Sequence, residues 1–281
     1  YLLKIMKIKA LNKLRNKLKS NEPIYGLWVT LESPSITEMA VSLGMDWVLI
    51  DAEHGHLDWK DISAHISAAM RSDTVIIVRI AERSTALSKR ALDIGADGIM
   101  IPWMESMDEV HKAVSDCNYP PEGRRGIGGE RATAWGQCLK EHTAEANENV
   151  LVIPMIESID AVPNVASMCK VDGVEIFFFG PADFSSTAGF RGLWEGPGIA
   201  EKKLELKNII KDNGKYCGVV STSNQNLTDR LNQGFQMLAI GTDGGLMLRS
   251  LHESLKKVNR DRSAATSLDP MDGHDLPNSN N

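Results

Sequence analysis

The stretch IDAEHGH, residues 50–56, closes an apolar run with Asp51, Glu53, His54 and His56, four groups able to carry protons or hold a cation. Asp51 and His54 stand three residues apart just past a strand-like segment. At that spacing the carboxylate can orient the imidazole and raise its basicity, which makes His54 a candidate general base near neutral pH. His56 reads as a polar loop residue and Glu53 as a supporting acid. Other apolar runs end in the same way: Arg79 closes TVIIVRI, Glu157 closes VLVIPMIE, and Asp183 follows GVEIFFFG within GPADFS. Glu157 and Asp183 follow consecutive runs, and neighbouring strands lie about 4.8 Å apart, so the two carboxylates are placed to share one cation. A pair of oxygen donors without histidine or cysteine suits a hard divalent ion such as Mg2+ or Mn2+, with the other positions left to water and substrate. The plain alternative has Glu157 capping the helix that begins at Ser158 and Asp183 serving as a first-turn acid. Arg79 supplies a fixed charge that can donate to an oxygen where negative charge develops; its plain alternative is half of a structural ion pair. GPADFS (180–185) also opens a helix, whose amides and dipole favour an anion.

These groups need elements that bring them together. Eight apolar runs alternate with helical patterns: 24–31, 47–53, 74–80, 98–103, 150–157, 173–180, 216–222 and 236–241. The runs are nearly continuous in apolar character, as parallel strands covered on both faces should be. Gly44, Gly95, Gly214 and Gly234 fall where left-handed helix caps are expected. The pattern predicts a (β/α)8 TIM barrel in one domain, residues 1–263. A doubly wound sheet is the alternative, but no dinucleotide-binding glycine fingerprint follows the first run. In a barrel the C-terminal strand ends share one face, which collects Trp28, Asp51, Glu53, His54, Arg79, Glu157 and Asp183.

Composition narrows the partners. Of 281 residues, 42% are hydrophobic and 24% charged, an ordinary globular profile, and the formal net charge is −6. A net acidic chain has no general affinity for nucleic acid or anionic membrane. No apolar run approaches the roughly 20 residues that span a bilayer. The basic, amphipathic residues 1–20 lack the apolar core of a secretory signal and read as a helix closing one end of the barrel. Cys117, Cys138, Cys169 and Cys217 are widely spaced, which fits reduced thiols in a cytoplasm better than a zinc site or disulfide framework. The tail 264–281 is polar and reads as disordered.

None of the eight runs contains lysine. A Schiff-base aldolase needs a desolvated lysine in the barrel mouth, so metal-assisted enolate chemistry is favoured over imine chemistry. The connection PPEGRRGIGGERATAWG (120–136) carries Arg124, Arg125 and Arg131 and reads as a substrate-carboxylate loop, a subunit contact or plain surface.

Together, GLWVTLESP, DWVLIDAEHG, ALDIGADGIMIPW, PPEGRRGIGG, IPMIES and FFGPADFSSTAG resemble the metal-dependent (class II) pyruvate aldolases that act on 4-hydroxy-2-oxoheptanedioate and 2-keto-3-deoxyglucarate. The resemblance covers roughly residues 20–260. It implies a hexamer of barrels that exchange their last helix, and a Mg2+, Mn2+ or Co2+ ion held by Glu157 and Asp183. It further implies Arg79 on the pyruvate keto oxygen and His54, oriented by Asp51, as acid or base. Backbone around Gly180 and Ala182 would hold the carboxylate, and Trp28 and Val220 would line the aldehyde side. Asp93 and the Arg125 loop would approach a neighbouring subunit's site. Met155 stands where some members have glutamine, and Val220 replaces a larger aliphatic residue; both bear on the acceptor. The expected reaction is reversible cleavage of a 4-hydroxy-2-oxo acid to pyruvate and an aldehyde. The rivals are another enolate enzyme on the same framework (an acyl-CoA lyase, an oxaloacetate decarboxylase or a cyclising synthase) and a non-catalytic metabolite-binding barrel.

Overall fold

The computed structural model describes residues 6–196 and 198–260. Eight strands form a closed parallel barrel in chain order: β1 (Ile24–Val29), β2 (Trp47–Asp51), β3 (Val75–Arg79), β4 (Gly98–Ile101), β5 (Leu151–Ile156), β6 (Ile176–Phe179), β7 (Tyr216–Val220) and β8 (Met237–Thr242). Around it run α1 (Ile8–Lys19), α2 (Ser35–Ser42), α3 (Trp59–Ala68), α4 (Thr85–Asp93), α5 (Met107–Cys117), α6 (Leu139–Asn149), α7 (Val165–Met168), α8 (Pro181–Thr187), α9 (Ile199–Asp212), α10 (Asn224–Asn232) and α11 (Asp243–Lys257). The expected (β/α)8 barrel is therefore the fold. Every residue of β2 through β6 is buried. Strands covered by side chains inside and helices outside leave no polar face, which is why these runs show no alternation. The tail from Ala264 lies outside the described residues.

Register fixes the site. Asp51 of β2 sits directly opposite Arg79 of β3. The pairings Met155 to Phe178 and Ile156 to Phe179 bring the ends of β5 and β6 level, so the following residues, Glu157 and Gly180, adjoin. Where β1 closes against β8, Gly26 faces Ala239 and Trp28 faces Thr242, so two steps on one strand match three on the other. The extra residue is a β-bulge.

At the other end, α1 buries Ala10, Leu11, Leu14 and Leu18 and contacts β1 and β3, closing the barrel floor. Gly44, Gly95, Gly214 and Gly234 all have positive φ, as their cap positions require. The segment after β5 departs from the expected helix: Ile159–Asn164 is a 3-10 turn containing Pro163, and α7 has four residues. Proline has no N–H to give an α-helix interior, so the α-helix starts beyond it. Among the described residues no helix is long and apolar enough to cross a membrane.

Candidate active site

At the C-terminal mouth of the barrel, a cavity of about 220 Å³ is lined by the tips of β1, β2, β3, β5, β6, β7 and β8. One wall is a polar lattice centred on Arg79, which is 5% exposed. Its Nε and Nη2 donate to Asp51 at 2.9 and 2.5 Å, and its Nη1 lies 2.8 Å from Glu53 Oε2. Its guanidinium also stacks 4.7 Å above the Trp28 ring. Asp51 accepts from Trp28 Nε1 at 2.9 Å and from the amides of Glu53 and His54 at 2.9 and 3.3 Å. Burial works to raise the Asp51 pKa, but Arg79, Trp28 and the Glu53 amide outweigh it and hold the carboxyl below its ordinary range. Glu53 is raised by burial, against the charges of Arg79 and His54.

A second carboxylate pair stands across the mouth. Glu157 is 1% exposed, and its Oε1 accepts from the Trp103 amide at 2.8 Å. Trp103 follows β4 with a left-handed φ of 55°, a conformation a bulky residue adopts only under tertiary constraint. Burial pushes the Glu157 pKa up to about 8; the Trp103 N–H opposes this, and the charges of Glu53 and Asp183 add to it. Asp183 lies in the first turn of α8, whose N-cap is Gly180. A Cβ on Gly180 would sit 2.5 Å from Glu157 Oε2. Only glycine lets the strand tip approach Glu157 this closely.

The rest of the wall is apolar, formed by Trp28, Met155, Phe178, Trp194 and Val220. The Trp28 and Phe178 rings meet at 5.6 Å.

The HpcH/HpaI aldolase/citrate lyase family profile matches residues 24–250 of this chain. The chain belongs to that family. A hydroxypyruvate/pyruvate aldolase of Pseudomonas aeruginosa is 32% identical over 247 residues, 86% of this chain and 91% of that protein. A 4-hydroxy-2-oxovalerate aldolase of Novosphingobium aromaticivorans is 32% identical over 255 residues, 90% of this chain and 97% of that protein. Among solved structures, an HpcH/HpaI aldolase/citrate lyase family protein from Burkholderia cenocepacia superposes with a TM-score of 0.84 at 31% identity, covering 88% of this chain and 99% of that one.

Within this HpcH/HpaI barrel, Trp28, Asp51, His54, Arg79, Glu157, Gly180, Ala182, Asp183 and Val220 all line the one cavity. One expectation needs correction. Asp51 does not grip the His54 imidazole, because its oxygens are occupied by Arg79, Trp28 and backbone amides. The His54 ring is instead 62% exposed, with Nε2 3.9 Å from Glu53 Oε1. Arg125 does not reach the cavity of its own chain. Its buried guanidinium lies 2.9 Å from Asp93 and 4.5 Å over the Tyr119 ring, within the loop that the resemblance directs toward a neighbouring subunit's site. The Gly180 amide is also engaged, donating to Ile156 O. The Ala182 and Asp183 amides, in a helix first turn, have no intrahelical acceptor.

Sequence reasoning missed Thr30, Thr242, Phe178 and Trp194 as cavity residues and Trp103 as the residue that holds Glu157. Thr30 and Thr242 sit at the ends of the first and last strands, so the strand-tip rule already pointed to them.

Proposed function

We propose that this family member is a divalent-metal-dependent aldolase, a carbon–carbon lyase that reversibly cleaves a 4-hydroxy-2-oxo acid to pyruvate and an aldehyde. The charge inventory of the mouth carries the reading. Asp51, Glu53 and Glu157 interact with one fixed cation, Arg79, which Asp51 and Glu53 hold, and Asp183 adds a fourth acid beside Glu157 and Glu53. Among the described residues, Glu157 and Asp183 have no ion-pair partner of their own, and no third metal-binding side chain joins them. Two oxygen donors facing an open cavity fit Mg2+, Mn2+ or Co2+, with the remaining positions left to substrate and water. The carboxyl pushed up to about 8 is the group such an ion would return to its ionised form. Bound there, the ion supplies Lewis-acid polarisation of the substrate's 2-oxo group.

The chain's own residues do the rest. The Ala182 and Asp183 amides orient the substrate carboxylate. His54 takes the proton of the C4 hydroxyl, the C3–C4 bond breaks, and the electron pair passes into the enolate of pyruvate. Arg79, held rigid by Asp51 and Glu53, donates to the enolate oxygen as its charge grows. Protonation at C3 completes pyruvate.

Pyruvate release from a panel of 4-hydroxy-2-oxo acids tests this. Release should vanish with a chelator and return with Mg2+, Mn2+ or Co2+. Asp183→Asn should lower it by about 1000-fold or more while the circular dichroism spectrum is unchanged. Undiminished release from metal-stripped protein would overturn the proposal.

The same proposal includes a homo-oligomer, a hexamer by resemblance, in which the last helix is exchanged between subunits. The exposed Met247, Leu248 and Leu251 of α11 support it. A cytoplasmic location is supported by four buried cysteines with no disulfide among them.

A further inference from the structure

Most apolar residues of the cavity stand on strands, where the barrel fixes them. Trp194 does not: it lies in the connection between α8 and α9. Its neighbours anchor it on both sides. Leu193 is buried, with its amide on Phe190 O, and its carbonyl accepts from Gly196. Glu195 takes the Lys203 ammonium at 2.7 Å on each oxygen and also binds Arg230 of α10. Lys203 and Arg230 are 1% and 2% exposed. Among the described residues Glu195 is the acid paired with both. Two desolvated cations depend on this carboxylate, and removing one partner of such a group strands the others in low dielectric. The clamp therefore holds the connection, and with it the indole, over the mouth.

Apart from the exposed His54 ring, the polar donors nearby are already committed. Thr30 Oγ1 donates to Asp243 at 2.8 Å, Thr242 Oγ1 accepts from Gly245 N at 3.1 Å, and Arg79 is held by Asp51 and Glu53. An acceptor carrying its own carboxylate would enter a cavity lined by three acids, Asp51, Glu157 and Asp183, whose fixed cation Arg79 is already paired and whose His54 is the base of the proposed reaction. An apolar acceptor would gain contact with indole, phenyl and aliphatic surface.

Resting on the aldolase reading, we propose that Trp194 is the specificity-determining wall for the acceptor, that Glu195 is its positioning residue, and that the acceptor is an uncharged, apolar aldehyde. The test is the metal-supplemented addition of pyruvate to two aldehydes of equal length, butanal and 4-oxobutanoate. Exchange of pyruvate methyl protons with deuterated water, which involves no aldehyde, is the internal reference. The wild-type chain should favour butanal in kcat/KM by about tenfold or more. Relative to exchange, Trp194→Ala should erase most of that preference through the KM for butanal. Glu195→Gln should shift it in the same direction by less, and Trp194→Ala decides the matter if that variant does not fold. A wild-type preference for 4-oxobutanoate, or variants that lower both additions and exchange in proportion, would overturn the assignment while leaving the aldolase reading intact. No exchange with any divalent metal would sink both.

Discussion

The two sides of the barrel mouth are built differently. On the side proposed to carry the enolate, at the tips of β2, β3, β5 and β6, most polar side chains are held, Arg79 by hydrogen bonds to Asp51 and an ion pair to Glu53, Asp51 by Trp28 and two amides, Glu157 by the Trp103 amide, and the exposed His54 ring is the exception. On the acceptor side, Val220 is half-buried at the end of β7 and Trp194 rides on a connection. Charge development demands donors placed to a fraction of an ångström and unable to relax, which strands and buried ion pairs provide. Shape discrimination needs surface at about the right distance, which a clamped loop provides. On the proposed function, the fold thus separates a reaction centre held by strands from an acceptor wall set in part by one clamped connection.

Substitutions can break this contrast or sharpen it. The largest effect is expected at Arg79→Lys, which cannot serve Asp51 bidentately and Glu53 at once. Its kcat for retro-aldol cleavage should fall by about 100- to 1000-fold with both apolar and carboxylated substrates. A loss confined to one acceptor class would mean that the guanidinium belongs to the wrong side. Gly180→Ala comes next, since its methyl would collide with Glu157 Oε2. Calorimetric titration should show divalent-metal affinity weakened by about 10- to 100-fold, with acceptor preference unmoved. On the other side, Val220→Ala removes two methyl groups from the acceptor wall. That is about 1–2 kcal/mol of apolar contact, or roughly tenfold in acceptor KM, and metal affinity measured in parallel should stay level.

The smallest effect lies away from both sides. Burial, then the charge of Arg125, pushes the His142 pKa down to about 4 from 6.5. The unfolded chain therefore binds more protons between those values, so stability falls as pH drops from about 6.5 to about 4 and is fully present above that window. Denaturant midpoints across this range should fall less steeply, by up to one proton, in His142→Gln. A variant with the wild-type slope would place the acid sensitivity elsewhere.

How much of this the sequence discloses depends on where a residue sits. Strand tips were legible, because a parallel barrel puts every C-terminal end on one face, and one strand length converts directly to position. Asp51, Arg79, Glu157 and Asp183 could be gathered without knowing any loop. Their partners could not. That Asp51 holds Arg79, with the imidazole left in solvent, follows from the register of β2 on β3. Trp103 and Trp194 act from connections whose conformations come from tertiary contacts, a left-handed backbone in one and a buried ion clamp in the other. The partners of Arg125 were hidden for the same reason: its loop looks solvent-facing, and only the folded chain brings Asp93 and Tyr119 to it.

The bulge where β1 meets β8 has a consequence for how such an enzyme can change over time. Trp28, at that seam, packs its ring against Phe178 and beneath Arg79 and places its N–H on Asp51, so it ties the tips of β2, β3 and β6 to the closing strand. Strand side chains alternate, so a slip of one residue would turn the indole out to the helix layer. On the roles proposed for Trp194 and Val220, a single replacement at either changes one wall of the cavity, whereas a one-residue slip at the closing seam takes Trp28 from Asp51, Arg79 and Phe178 together.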